Sequence, residues 1–119
     1  NNKIYLIDSQ DAVIGNPAYD LASLIDDVRY KSSYLLKKKI YLYFLQKNKK
    51  IDKKSFLNDF LILSVLRNLK ILGIFTRLAK RDKKKNYLKL IPYTWKQIKL
   101  RTNGNTIFNE LISCINNKK

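Results

Sequence analysis

The sequence predicts a mostly α-helical chain with one short β-strand near its start. Apolar residues recur at helical spacing over most of the 119 residues. The apolar, β-rich run Ile4–Ile7 precedes these helices and ends at Asp8. Because 45% of the residues are hydrophobic, the chain has enough apolar side chains for a folded core. We therefore expect one domain or a piece of a larger one.

Capping residues, proline and glycine predict where the helices begin and end. Asn16 and Pro17 should start a first helix that continues to about Tyr30. A second helix is predicted over about Ser33–Lys47. A third, over about Lys53–Lys80, is apolar on a wide arc and should be central to the core. The remaining predicted elements are a short helix at Tyr87–Leu90, a helix from Pro92 to about Arg101, a turn around Gly104 and a final helix at Thr106–Ile115.

The same spacing predicts which side chains are buried. We expect the aromatic residues at helical spacing to form the core: Tyr34, Tyr41, Tyr43, Phe44, Phe56, Phe60 and Phe75. The lysine runs Lys37–Lys39 and Lys83–Lys85 should be solvated, and Cys114 should be a small buried apolar residue.

The composition excludes several classes of site. The chain has no histidine and one cysteine, which excludes Ser-His-Asp triads, histidine zinc sites and cysteine metal clusters. No apolar run is long enough for a membrane span, and no secretory signal is present, so we expect a cytoplasmic protein. Because the chain also lacks methionine, we expect it to be the C-terminal part of a longer protein.

The net charge of +16 has two interpretations. It could indicate a nucleic acid or an anionic membrane as partner. We favour instead a solvated surface, because Lys, Ile, Asn and Tyr have A/T-rich codons and are abundant here. The first thirty residues are instead net acidic, which suggests a specific role for their aspartates: Asp8, Asp11, Asp20, Asp26 and Asp27.

Asp8 is the first candidate metal ligand. A carboxylate that follows an apolar strand is held rigidly while its oxygens face a cleft, which suits a divalent cation. Taken alone the pattern is weak, since many aspartates in this position cap a turn instead.

Two longer strings resemble a known family. Ile7-Asp8-Ser9-Gln10-Asp11-Ala12 followed by Gly15–Leu24 is similar to the C-terminal lobe of the aminoglycoside phosphotransferase and choline kinase family, whose fold is kinase-like. The stretch from Arg67 to Pro92 resembles the subgroup of bacterial kinases that act on N-acetylmuramate and N-acetylglucosamine in cell-wall recycling. The resemblance spans about Ile4 to Trp95.

The resemblance implies roles for the aspartates. Asp8 matches the magnesium-binding aspartate that contacts the nucleotide phosphates through the metal. Asp20 matches an aspartate expected to bond to the catalytic-loop backbone and hold it in place. Asp11 has no secure family role, and it could touch substrate or stabilise a turn. The catalytic loop, with the base for the accepting hydroxyl, is expected upstream of Asn1, so no catalytic residue is expected within this chain.

The resemblance also implies an organisation and a function. The chain would be a partial phosphotransferase domain, with residues 1–30 as a metal-binding strand-loop-helix and residues 31–119 as a helical acceptor-binding subdomain. The parent protein would be a kinase that uses Mg²⁺ and ATP or GTP to phosphorylate a sugar hydroxyl. The fragment alone should be inactive.

The long helix carries a second candidate constellation. Arg67, Lys70, Arg77 and Arg81 share one face at helical spacing. Such a face beside a sugar cleft could bind a carboxylate, such as the lactyl group of muramic acid, or it could be a solvated outer surface. Asn68 and Asp82 are weaker candidates.

Two alternative interpretations remain. The cations of residues 31–119 favour a basic helical module that binds nucleic acid, although no helix-turn-helix or zinc pattern is present and the acidic front would repel phosphate. The chain could also be an inactive remnant whose helices merely fold.

Overall fold

The computed structural model describes residues 3–5 and 13–117. Within these two ranges, five α-helices follow one another: α1 (Pro17–Ile25), α2 (Tyr34–Lys47), α3 (Lys53–Lys80), α4 (Ile91–Thr102) and α5 (Asn109–Asn116). Short 3₁₀ helices at Lys85–Leu90 and Thr106–Phe108 precede α4 and α5. The mostly α fold class is confirmed, and α3 has the predicted bounds.

Side chains cap the first three helices. The Asn16 side-chain oxygen accepts a hydrogen bond from the Ala18 amide at 2.9 Å, and Pro17 follows as the first helical residue. Ser33 Oγ accepts from the Leu36 amide at 3.2 Å, and Asp52 Oδ2 accepts from the Ser55 amide at 2.8 Å. These caps determine where α1, α2 and α3 begin.

The predicted strand is not found in the part of it that the structure describes. Residues 3–5 have no regular secondary structure, and Ile4 and Tyr5 are exposed. The described residues contain no strand with which this segment could pair. Leu6 and Ile7, the rest of the predicted strand, lie outside the described residues.

Helix α1 ends earlier than predicted, at Ile25 instead of about Tyr30. The Asp27 side chain accepts a hydrogen bond from the Arg29 amide at 2.9 Å and so favours a turn over another helical residue. Val28 is buried within this turn. Val28 therefore fits the apolar spacing because it is buried, although it is not part of the helix.

Among the described residues, most of the buried apolar side chains form two clusters that share α3. In the first, residues of α1 and α2 pack on the N-terminal half of α3, and its buried members are Ala18, Leu21, Ala22, Ile25, Leu45, Phe56 and Phe60. In the second, Val65 of α3 packs with Ile98 of α4 and with Phe108. Helix α3 contributes to both clusters, which confirms its predicted central position.

Several burial predictions were wrong. Tyr43 lies on the side of α2 away from the core, and Tyr34, the first residue of α2, is also exposed. Cys114 is exposed as well. Lys37, predicted to be solvated, is buried because its side chain reaches a buried carboxylate. Phe56, Phe60 and Phe75 are buried as predicted, and Tyr41 and Phe44 are half-buried against the first cluster.

Candidate functional site

The segment with the strongest family resemblance is only partly described. Asp8 and Asp11 lie outside the described residues, so the roles predicted for them remain predictions. Within residues 3–5 and 13–117, no three acidic, histidine or cysteine side chains are grouped closely enough to hold a metal ion.

The end of this segment is attached to the long helix. Asn16 donates a hydrogen bond from Nδ2 to Oδ2 of Asp59 at 2.6 Å, while its side-chain oxygen caps α1. One residue therefore fixes the start of α1 and connects it to α3. The direction in which the chain approaches α1 from residues 13–15 is restrained by this contact.

Asp20 lies in the first turn of α1 and is exposed. Its carboxylate accepts no hydrogen bond from the described part of the chain. The N-terminal end of a helix favours a negative charge, so the position suits a carboxylate that binds donors of another segment. The role that the resemblance implies for Asp20 remains a prediction.

A buried ionic cluster lies at the C-terminal end of α1. Asp26 is fully buried. Arg101 of α4 donates from Nε to Oδ2 at 2.7 Å and from Nη2 to Oδ1 at 2.8 Å. Lys37 of α2 donates to Oδ1 at 2.9 Å, and Ser64 of α3 donates to Oδ2 at 2.6 Å. We call Asp26, Lys37, Ser64 and Arg101 the Asp26 cluster.

The donors around Asp26 outweigh the cost of its burial. Burial by itself raises the pKa of the Asp26 carboxyl, but hydrogen bonds from Arg101, Ser64 and Lys37 and the charge of Arg101 bring the pKa below its ordinary value. Lys37 also donates to the Ile25 carbonyl at 2.6 Å, which satisfies a carbonyl at the end of α1. The cluster therefore connects four helices through one carboxylate.

Sequence reasoning missed this cluster. The available signal was that Asp26 is one of the acidic residues that make the first thirty residues net acidic. The inward lysine of the run Lys37–Lys39 could have been recognised from its phase with Tyr41 and Leu45, which also face the core. Nothing in the sequence connects Arg101 to Asp26, since 75 residues separate them.

A second charged group surrounds Asp27. Arg29 donates from Nε at 3.0 Å and from Nη2 at 2.7 Å to the two carboxylate oxygens of Asp27. This hydrogen bonding is the main reason that the pKa of Asp27 is lowered, and the charge of Arg67 adds to the effect. Arg67, a predicted site residue, lies one turn after Ser64 on α3, and Ser64 bonds Asp26, the neighbour of Asp27.

Arg67 is half-buried, and its Nη1 is buried without a hydrogen-bond partner among the described residues. The rings of Phe75 and Tyr87 stack with centroids 5.4 Å apart. The hydrogen bond to Asp27 is the main reason that the pKa of Arg29 is raised, and the charge of Tyr87 adds to this effect. We call Asp27, Arg29, Arg67, Phe75 and Tyr87 the Arg67 surface. It combines two guanidinium groups, a carboxylate and an aromatic pair. The guanidinium groups can donate hydrogen bonds to an anion, and the carboxylate can accept them from a hydroxyl.

The four predicted cations of α3 do not meet at one point. Arg67 and Arg81 are fourteen residues apart, which corresponds to about 21 Å along the helix. Lys70 and Arg77 are exposed, and Arg81 pairs with the neighbouring Asp82 at 2.8 Å. Asn68 is buried and donates to the Ser64 carbonyl at 3.0 Å. A single ligand carboxylate could therefore contact only those of the four cations that are adjacent on the helix, and not all four.

The chain is similar to a curated bacterial enzyme. It is 36% identical over 93 residues to the N-acetylmuramate/N-acetylglucosamine kinase of Caulobacter vibrioides. The match covers 78% of this chain and 26% of that relative, so the chain spans about a quarter of the relative's length. No family model matches the chain.

This similarity supports a kinase-like relationship and does not favour the nucleic-acid-binding alternative. No helix among the described residues combines the length and apolarity needed to cross a membrane.

Proposed function

We propose that these residues form the helical C-terminal lobe of a kinase that transfers the γ-phosphate of ATP or GTP to a hydroxyl of an amino sugar. The observation that carries the proposal is the 36% identity over 93 residues to an N-acetylmuramate/N-acetylglucosamine kinase. The mostly α-helical fold of the described residues is consistent with it, because the resemblance implies a helical C-terminal lobe. We also infer that the parent protein belongs to the aminoglycoside phosphotransferase and choline kinase family, which the sequence resemblance of residues 7–24 supports.

The first thirty residues would serve the nucleotide side of the reaction. Asp8 would hold Mg²⁺ together with a ligand from the catalytic loop, and the metal, when bound, neutralises charge on the phosphates. Asp20, exposed at the N-terminal end of α1, would accept N–H groups of that loop. The Asn16–Asp59 hydrogen bond would fix the approach of this segment to α3.

The Arg67 surface is our proposed contact for the acceptor sugar. The Asp27 carboxylate remains partly exposed beside Arg29 and can accept a sugar hydroxyl. Arg67 is a half-buried guanidinium with an unused N–H, so a shift of its side chain would let it donate to an acceptor carboxylate. Binding there would orient the acceptor hydroxyl toward the nucleotide, which is the main contribution a protein makes to phosphoryl transfer.

The test uses the polypeptide encoded by the whole reading frame that contains these residues, with ATP and N-acetylmuramate as substrates. Asp8→Asn should lower kcat at least about 100-fold, because a metal ligand is lost. Arg67→Met should raise KM for the sugar about tenfold, with a smaller change in KM for ATP. Lys80→Met is the matched control, since it removes an exposed cation from the same helix outside the Arg67 surface.

The 119-residue chain alone should show no turnover. Phosphate transfer by this chain without further residues would contradict the proposed division of the site. A complete polypeptide that phosphorylates no amino sugar would contradict the proposed substrate class. Equal effects of Arg67→Met and Lys80→Met would remove the Arg67 surface from the acceptor site.

A further inference from the structure

A groove of about 680 Å³ lies between the start of α2 and one side of α4, and neither the Arg67 surface nor the Asp26 carboxylate lines it. The residues that matter for its chemistry are Ser32, Ser33, Tyr34, Lys96, Gln97 and Lys99. None of the groove's lining residues in the described chain is an aspartate or a glutamate. The groove is therefore a concave, largely apolar surface whose charged lining groups are all cationic.

The N-terminus of α2 forms one wall of the groove. Ser33 caps this 14-residue helix and uses its hydroxyl to accept from the Leu36 amide. The amides of Tyr34 and Leu35 precede the first helical hydrogen bond, so their N–H groups have no partner within the helix. Such amides, together with the helix dipole, attract an anion.

Gln97 provides an independent observation in the opposite wall. This side chain is only 2% exposed, lines the groove, and has an Oε1 atom with no hydrogen-bond partner among the described residues. A buried amide without a partner costs free energy unless a ligand or water satisfies it. Because rotation of the amide exchanges its carbonyl and its NH₂, Gln97 can donate to an anion or accept from a hydroxyl.

The charges around the groove have one sign. Lys96 and Lys99 are neighbours on α4 at a spacing of three residues, and both are exposed. Lys31 Nζ lies 5.7 Å from the centroid of the Tyr93 ring, which also lines the groove. Lys37 of the Asp26 cluster also lines the groove, and in that cluster one carboxylate faces two cations, which leaves a net positive charge.

We propose that this groove binds the phosphate group of a small phosphorylated molecule. The amide of Tyr34 would donate to the phosphate oxygens, Lys96 and Lys99 would neutralise its charge, and Gln97 would donate to it or accept from an adjacent hydroxyl. Lysine ammonium groups act as point charges without a preferred plane. They therefore suit a compact phosphate dianion better than a planar carboxylate. This inference stands independently of the proposed function, because it uses none of the residues assigned there.

The test is a titration of the ¹⁵N-labelled 119-residue chain with inorganic phosphate, followed by NMR at constant ionic strength. We expect saturable shifts of the Tyr34 and Leu35 amides. The double variant Lys96→Ala/Lys99→Ala should weaken the binding about tenfold or more. Gln97→Leu, which retains the size of the side chain without its amide, should also weaken it.

The matched control is Lys49→Ala/Lys50→Ala, which removes the same charge from the turn that follows α2. It should change the affinity less than about twofold. Shifts that are spread over lysines throughout the chain without saturation, or equal losses in the two double variants, would overturn the proposal. A second titration uses duplex DNA. If Lys96 and Lys99 governed tight, steeply salt-dependent DNA binding, the groove would be a nucleic-acid surface and the proposal of a small ligand would be wrong.

Discussion

Arg101 binds both carboxylate oxygens of Asp26, with its Nε 2.7 Å from Oδ2 and its Nη2 2.8 Å from Oδ1. The same guanidinium lies over the Phe60 ring, 4.9 Å from its centroid. Arg101 is therefore a contact between the buried charge and the aromatic part of the core. Because the two partners are 75 residues apart, this pair connects the first and fourth helices of the chain.

Removal of the Asp26 carboxylate should be among the most damaging single changes. Asp26→Ala leaves Lys37 and Arg101 buried without their anionic partner, and loss of one member of a buried ion pair costs about 3 to 5 kcal/mol. We expect a loss of this size in the free energy of unfolding, measured by urea denaturation followed by circular dichroism.

The control for this change is Asp82→Ala. Asp82 pairs with Arg81 at 2.8 Å, but the Arg81 side chain is largely exposed, and such pairs contribute less than about 1 kcal/mol. The two variants should therefore differ by at least about 2 kcal/mol. Equal losses would mean that the buried position of Asp26 adds nothing to the value of its ion pairs.

Acid should destabilise the fold through Asp26. Its pKa is lowered in the folded state, so the unfolded chain binds this proton first as the pH falls below the ordinary value of 3.8. The contribution of Asp26 is thus fully present above pH 3.8 and is lost as the pH falls toward the folded-state pKa. This one group adds a slope of at most about 1.4 kcal/mol per pH unit.

The carboxyl carbon of Asp26 can be followed directly by ¹³C NMR during an acid titration. We expect its midpoint below 3.8, and we expect Asp26→Asn to reduce the acid slope of the unfolding free energy. A midpoint at or above 3.8 would show that burial outweighs the donors around this carboxyl.

The sequence predicted helix positions well where a capping residue and apolar spacing agreed. Asp52 precedes α3, and the apolar pattern of this helix continues until the charged pair Arg81-Asp82, so both ends were recognisable. The end of α1 was not predictable from the same rule. Val28 continues the apolar spacing but is buried in a turn, because the Asp27 side chain bonds the Arg29 amide.

Less of the candidate site could be predicted. Arg67 was a candidate from the family-like stretch, but its proximity to Asp27 depends on how α1 packs on α3. Lys37, Lys38 and Lys39 are consecutive lysines, and Lys37 alone lies on the side of α2 from which its side chain reaches Asp26. Pairings of this kind depend on how the helices pack together, and the spacing of residues along one helix does not determine that packing.

Phe60 should account for a large part of the stability of the first core cluster. It is 2% exposed, and the ring of Tyr41 lies 5.0 Å from it, centroid to centroid. Phe60→Ala should cost about 3 to 5 kcal/mol of unfolding free energy, because the cavity adds to the loss of apolar burial. Leu66→Ala, on the exposed side of the same helix, should cost much less. Similar midpoints in urea for the two variants would contradict the assigned core.

Asn16 and Asp59 should be energetically coupled, although 43 residues separate them. Asn16→Ala removes both the cap of α1 and the hydrogen bond to Asp59, and we expect a loss of about 1 to 2 kcal/mol. Asp59→Ala removes only the second contact and should cost less. A double-mutant cycle on unfolding free energies should therefore give a coupling of at least about 0.5 kcal/mol. Asn105→Ala is the matched control, since Asn105 caps Thr106–Phe108 by the same geometry without contact to Asp59. Strict additivity of Asn16→Ala and Asp59→Ala would mean that α3 does not restrain the approach of the chain to α1.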